Sequence, residues 1–182
     1  MSNLCVLITG ANRGLGLEFV RQFVSSGKAK QVYATCRDPE KADQLMEIAK
    51  SNDKVRVLKV DVTDYKSFPD LVKQVAANLE GNHLNLLINN AGIYVRGDLQ
   101  NTTAEGMIEN FNANAVAPLM LTKAFLPLLQ ESSKNNLKTV VVNITSKMGS
   151  ISDATSGSHY AYRASKTALN MVGRCLATDL KE

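Results

Sequence analysis

Tyr162 and Lys166 stand four residues apart in YAYRASK, residues 160–166. On a helix that spacing puts both side chains on one face. A phenol beside an ammonium is either a solvated surface pair or a tuned proton donor. An unperturbed phenol titrates near ~10, and a nearby cation favours the phenolate and brings the group closer to working pH. The pair by itself leaves both readings open.

A second stretch with chemical potential is ITGANRGLG, residues 8–16. Gly10, Gly14 and Gly16 fall where a backbone turns sharply and approaches a ligand closely. A helix opening there points its first amides at an anion, and Asn12, Arg13 and Leu15 share the turn. The spacing is G-x-x-x-G-x-G, not the common G-x-G-x-x-G. A tight strand-to-helix turn is the simpler use of such glycines. Its position after a first strand and before an amphipathic helix favours pyrophosphate binding.

The second strand ends in TCRD, Thr35 to Asp38. An acid at the strand end would bind a ribose 2′-hydroxyl and select NAD. Here Arg37 stands at that mouth and Arg13 lies in the glycine turn. Two guanidinium groups suit a 2′-phosphate, so NADP(H) is expected ahead of NAD(H), which Asp38 keeps open. Solvated loop arginines are the plainer alternative. Asp61 ends the third strand, where its carboxyl or the Val62 backbone would meet an adenine, or where it caps the next turn. Asn90, Ala91 and Gly92, in NNAG, end the fourth strand at the carboxyl edge where doubly wound sheets bind ligands, or form an ordinary turn.

These residues need a scaffold. Strands are expected at 4–8, 31–35, 54–62, within 84–92 and at 137–145. Helices are expected at 14–27, 39–50, 64–79, about 113–130 and from His159 onward. Strand–helix alternation with continuous apolar strands such as VVVNI predicts an α/β, Rossmann-type doubly wound parallel sheet in a single domain spanning 1–182. The net charge of +4 comes with no basic run carrying interleaved aromatics, so nucleic acid is not an expected partner. Cys5, Cys36 and Cys175 are scattered, without metal spacing or a disulfide framework, and fit a cytoplasmic protein with reduced thiols. The N-terminus carries neither a signal peptide nor a membrane span.

TGANRGLG, NNAG and YRASK, in that order and at suitable separations, resemble the T-G-x-x-x-G-x-G, N-N-A-G and Y-x-x-x-K motifs of the short-chain dehydrogenase/reductase family. The runs FLPLL and GSI look most like its carbonyl-reductase-like branch. The resemblance implies strand order 3-2-1-4-5. It also implies NADPH-dependent reduction of a carbonyl compound, an aldehyde, ketone or quinone. Tyr162 matches the family's proton donor and Lys166 the residue that holds the nicotinamide ribose and depresses the phenol's pKa. Ser146 matches the serine that steadies the substrate carbonyl, with Thr145 and Ser150 as neighbouring hydroxyls. Asn114 matches the asparagine that kinks the long helix and holds a relay water, with Asn112 as the alternative. Members of the family continue past this helix, so a shortened chain is expected, with the C-terminal strands of the usual fold absent. Oxidation of an alcohol with NAD, and cofactor binding without turnover, are the competing activities. A homodimer through the helices around 113–130 and 159–181 is expected as well.

Overall fold

In the computed structural model, residues 4–181 are described; Met1–Asn3 and Glu182, the ends of the expected domain, lie outside them. Five strands form one sheet: β1 (Leu4–Thr9), β2 (Ala29–Cys36), β3 (Val55–Lys59), β4 (Leu84–Asn89) and β5 (Val140–Asn143). Their order is β3-β2-β1-β4-β5, as expected, and the β1–β2, β1–β4 and β2–β3 pairs are parallel. Cys5, Val6, Leu7 and Ile8 of the central strand are wholly buried. A strand covered on both faces has no polar side to present, which is why β1 reads as an unbroken apolar run.

The helices are α1 (Gly14–Ser25), α2 (Asp43–Ser51), α3 (Phe68–Ala77), α4 (Ala104–Phe111), α5 (Ala117–Lys134) and α6 (Tyr160–Asp179). The expected helices at 39–50 and 64–79 each begin with a separate 3-10 turn, at Pro39–Lys41 and Tyr65–Ser67. The expected strand at 54–62 is shorter, because Asp61 and the residues after it form a turn. Helix α4 was not expected. Its signal was present in Thr103, whose hydroxyl accepts from the Gly106 N–H at 3.1 Å and so caps the helix, with Glu105 in the first turn. The expected long helix begins as a π-helical turn, Asn112–Val116, before α5.

The described residues fall into two compact units. One runs through Ala91 and includes Leu121–Val142; the other comprises Gly92–Met120 and the residues from Asn143 onward.

Candidate active site

In the first unit the glycine turn joins β1 to α1, and each glycine is required for a different reason. Gly10 has φ of +65°, and a Cβ there would stand 2.9 Å from the Ala91 Cα. Gly14 has φ of +56° with open space around it, whereas a side chain on Gly16 would collide with the Gly10 carbonyl and the Asn90 amide. Asn90 fastens the turn. Its Nδ2 donates to the Thr9 carbonyl at 2.8 Å and the Gly10 carbonyl at 3.1 Å. The Thr9 hydroxyl accepts from the Asn90 and Ala91 amides, both at 3.0 Å. NNAG therefore braces the loop that precedes α1, a role in addition to any contact with a ligand. Leu15 is 61% exposed at the start of α1.

A cavity of about 390 Å³ opens beside this turn, lined by Asn12, Arg13, Gly14, Leu17, Arg21, Lys41, Ala42, Asp43 and Gln44. Arg21 is committed to Gln44, to which its Nη2 donates at 2.8 Å. Arg13 and Lys41 are the other cations on its wall. Arg37 is exposed at the end of β2 and is not among the lining residues. Lys41 was missed in the sequence, where it is one lysine among many in a polar helix start. It pairs with Asp38 at 3.0 Å. The Lys41 hydrogen bond holds the Asp38 carboxyl below the usual range, so the acid that kept NAD open already has a cation.

Asp61 serves a turn. Its Oδ1 accepts from the Thr63 N–H at 2.9 Å and the Thr63 hydroxyl at 2.7 Å. Burial alone would raise its carboxyl; the two Thr63 bonds and the Arg37 guanidinium outweigh that and lower it. Val62 is half-buried in the same turn.

In the second unit, α6 carries Tyr162 and Lys166 on successive turns. Lys166 is only 5% exposed. Its Nζ donates to the Ile144 carbonyl at 2.7 Å and lies 5.7 Å from the centre of the Tyr162 ring. Burial lowers its pKa, because an ammonium taken from water loses more than a neutral amine does. One of its three N–H groups is used by Ile144. The start of α6 is docked closely: a Cβ on Gly149 would stand 2.8 Å from the Lys166 backbone, and Thr167 Oγ1 and Asn170 Nδ2 donate to the Gly149 carbonyl at 3.0 and 3.2 Å.

That docking also separates the neighbouring hydroxyls. Thr145 donates its proton to Asn170 Oδ1 at 2.6 Å. Ser146 instead accepts from the Met148 N–H at 3.1 Å, which leaves its own O–H available to donate. Ser150 faces Ser152, oxygen to oxygen at 3.1 Å.

Asn114 is buried in the π-helical turn. Its Oδ1 accepts from the Ile93 N–H at 2.8 Å, and its Nδ2 donates to the Ile93 carbonyl and the Ser165 hydroxyl, both at 2.9 Å. The side chain is thereby spent on clamping residue 93 and α6. Gly92 permits this, since a Cβ there would meet Asn114 Oδ1 at 2.9 Å.

The comparisons agree with this architecture. The family model for short chain dehydrogenase matches residues 4–182. An uncharacterized oxidoreductase of Schizosaccharomyces pombe is 32% identical over 185 residues, covering 100% of this chain and 69% of the relative. The NADPH-bound carbonyl reductase from chicken fatty liver superposes with a TM-score of 0.94 at 39% identity, covering 100% of this chain and 75% of that one. Carbonyl reductase Sniffer of Drosophila melanogaster gives 0.95 at 34%, covering 98% and 76%. The chain belongs to the short-chain dehydrogenase/reductase family. It is an oxidoreductase of that family, whose enzymes act on small molecules, and its structural neighbours are carbonyl reductases. Among the described residues no helix is long and apolar enough to cross a membrane.

Proposed function

We propose that the chain reduces a carbonyl compound, an aldehyde, ketone or quinone, to the alcohol with NADPH. The observation that carries this reading is the buried Lys166 ammonium one helical turn from Tyr162, with one N–H committed and the others open to a ligand. A buried cation without a carboxylate partner is costly. A site that binds ribose hydroxyls gives that cost a purpose.

The glycine turn fits a dinucleotide: Gly10 and Gly16 let the turn pack tightly against Ala91, Asn90 and the Gly10 carbonyl, and Gly14 supplies a left-handed turn with open space beside it. Asn12, Arg13, Leu15, Asn90, Ala91 and Gly92 are the further contacts, with Asp61 and Val62 toward the adenine. Arg13, with Lys41 on the same cavity wall and Arg37 exposed at the end of β2, favours the 2′-phosphate of NADP(H) over NAD(H). When bound, the reduced nicotinamide supplies the hydride.

Tyr162 then gives its proton to the carbonyl oxygen. Lys166 holds the ribose and stabilises the phenolate left on Tyr162. The free Ser146 O–H donates to the same oxygen as negative charge builds there. Asn114 keeps the π-helical turn fixed against α6, in the place of the family's asparagine that holds a relay water. The exposed Phe111 and Met171, on α4 and α6, favour an apolar surface that a second copy of the chain would cover in a homodimer.

The test is NADPH oxidation with 4-nitrobenzaldehyde by the chain and by Tyr162→Phe. Loss of the proton donor is expected to lower kcat on the order of 10²–10⁴-fold, with NADPH affinity retained. Undiminished turnover in Tyr162→Phe refutes the assignment, and NADPH binding without turnover in the parent chain points to a non-catalytic dinucleotide module.

A further inference from the structure

Tyr94 packs against the ring of Tyr162, with centroids 4.5 Å apart and planes at 82°. That is the edge-to-face geometry aromatic rings prefer. The Lys166 ammonium lies 5.7 Å from the centroid of the same Tyr162 ring. Tyr94 is itself held by two neighbours: the His159 ring at 5.4 Å and the Arg96 guanidinium at 5.8 Å from its centre.

The backbone is arranged to keep this cluster together. Ser158 and His159 both have positive φ, +67° and +57°. Two consecutive non-glycine residues in that region persist only where surrounding bonds hold them. Those bonds are present: the His159 N–H donates to the Gly97 carbonyl at 2.6 Å, Arg163 Nε donates to the Ser158 carbonyl at 3.1 Å, and the Arg163 N–H donates to the His159 carbonyl at 2.9 Å. The segment carrying Tyr94 is thus tied to the first turn of α6, where Tyr162 sits. Tyr94 remains 42% exposed. A ring needed only for the core would be covered, so its packing is spent on Tyr162 while its outer part stays open.

We propose that Tyr94 is a positioning residue for the reaction. With His159 behind it, it fixes the plane of the Tyr162 ring so that the phenol points at the carbonyl oxygen. The proposal rests on Tyr162 being the proton donor. Its physical basis is that proton transfer falls steeply when the donor is misplaced by an ångström or so, while Tyr94 makes no bond that changes in the reaction. It therefore predicts an effect on kcat rather than on KM, and one that the aromatic ring restores without its hydroxyl.

The experiment compares Tyr94→Ala, Tyr94→Leu, Tyr94→Phe and Tyr162→Phe in NADPH oxidation with 4-nitrobenzaldehyde. Thermal melts with and without NADPH check that each variant folds and binds cofactor. Tyr94→Leu stands in if the alanine variant does not fold. The expected result is a loss in kcat of about tenfold or more for alanine and leucine, equal to about 1.4 kcal/mol of barrier. KM should stay within about twofold, and phenylalanine should lie near the parent. An alanine variant with unchanged kcat, or one that raises KM alone, overturns the positioning role while Tyr162→Phe still shows the donor. A phenylalanine variant as impaired as alanine overturns it too, since the ring is then not what matters. An active Tyr162→Phe, or a parent chain without turnover, overturns the underlying reading and this one with it.

Discussion

The three glycines of the turn after β1 are chemically identical, yet the structure assigns them different costs on substitution by alanine. Gly14 has positive φ and open space, so Ala carries only the left-handed backbone cost, about 1–2 kcal/mol. Gly10 carries that cost plus a Cβ placed 2.9 Å from backbone of Ala91, which has no flexible end to move aside. Overpacking adds about 1–3 kcal/mol, so Gly10→Ala should lose about 2–5 kcal/mol. Gly16 is helical and would gain up to about 1 kcal/mol of helix propensity from Ala. Its Cβ, however, meets the Gly10 carbonyl and the Asn90 amide that braces the loop. The backbone must shift there, and the overpacking cost less the helix gain leaves a net loss of about 0–3 kcal/mol, with a larger loss of NADPH affinity than Gly14→Ala shows. Urea denaturation of the three variants measures the stabilities, and fluorescence titration the affinities. Equal losses at all three positions, or Gly14→Ala as the most destabilised, would refute the geometric argument.

Cofactor selection divides the cations. Arg13→Ala and Lys41→Ala should each weaken NADPH about tenfold or more while sparing NADH, the scale of one lost charge-assisted hydrogen bond, and Arg37→Ala should cost less because Arg37 does not line the cavity beside the turn; paired titrations with the two cofactors check this, and equal loss for both cofactors would contradict it. Alkaline stability should carry two opposite slopes. Burial lowers the Lys166 pKa, so between that value and ~10.4 the unfolded chain binds more protons and stability rises with pH. Burial pushes the Tyr33 phenol up, so its contribution is complete below ~10 and is lost as pH rises beyond. Urea midpoints across roughly pH 8–11 should lose the rise in Lys166→Met and the fall in Tyr33→Phe. At neutral pH, Tyr33→Phe should raise stability by about 1 kcal/mol, because the buried hydroxyl has no protein partner, and a thermal melt reads it directly.

The sheet was legible because β1 is an unbroken buried apolar run, β4 is largely buried, and strands alternate with helices along the chain. Helix α4 was not, because Ala104–Phe111 is short and leaves Ile108 and Phe111 exposed, which blurs the helical period. Motif spacing indicated which residues to consider but was silent on how each is used. Asn90, expected as a ligand contact, is also bonded to the loop carbonyls, and Asn114, expected to kink the long helix and hold a relay water, also clamps Ile93 and Ser165. Ser146 was expected ahead of Thr145, and their partners now differ: Thr145 donates its proton to Asn170, whereas Ser146 accepts from Met148 and keeps its own. Tyr94 carried no signal at all, since its meaning lies in a ring contact with a residue sixty-eight positions later. In this chain the polar side chains named by the motifs largely hold backbone in place, and they leave few groups free. Under the proposed reading, the Tyr162 phenol, the Ser146 proton and the N–H groups of Lys166 not used by Ile144 are the groups left for the reaction. A group already bonded to its own fold has less left to stabilise a transition state, so the hydrogen-bond pattern adds a distinction among motif residues that their spacing does not carry.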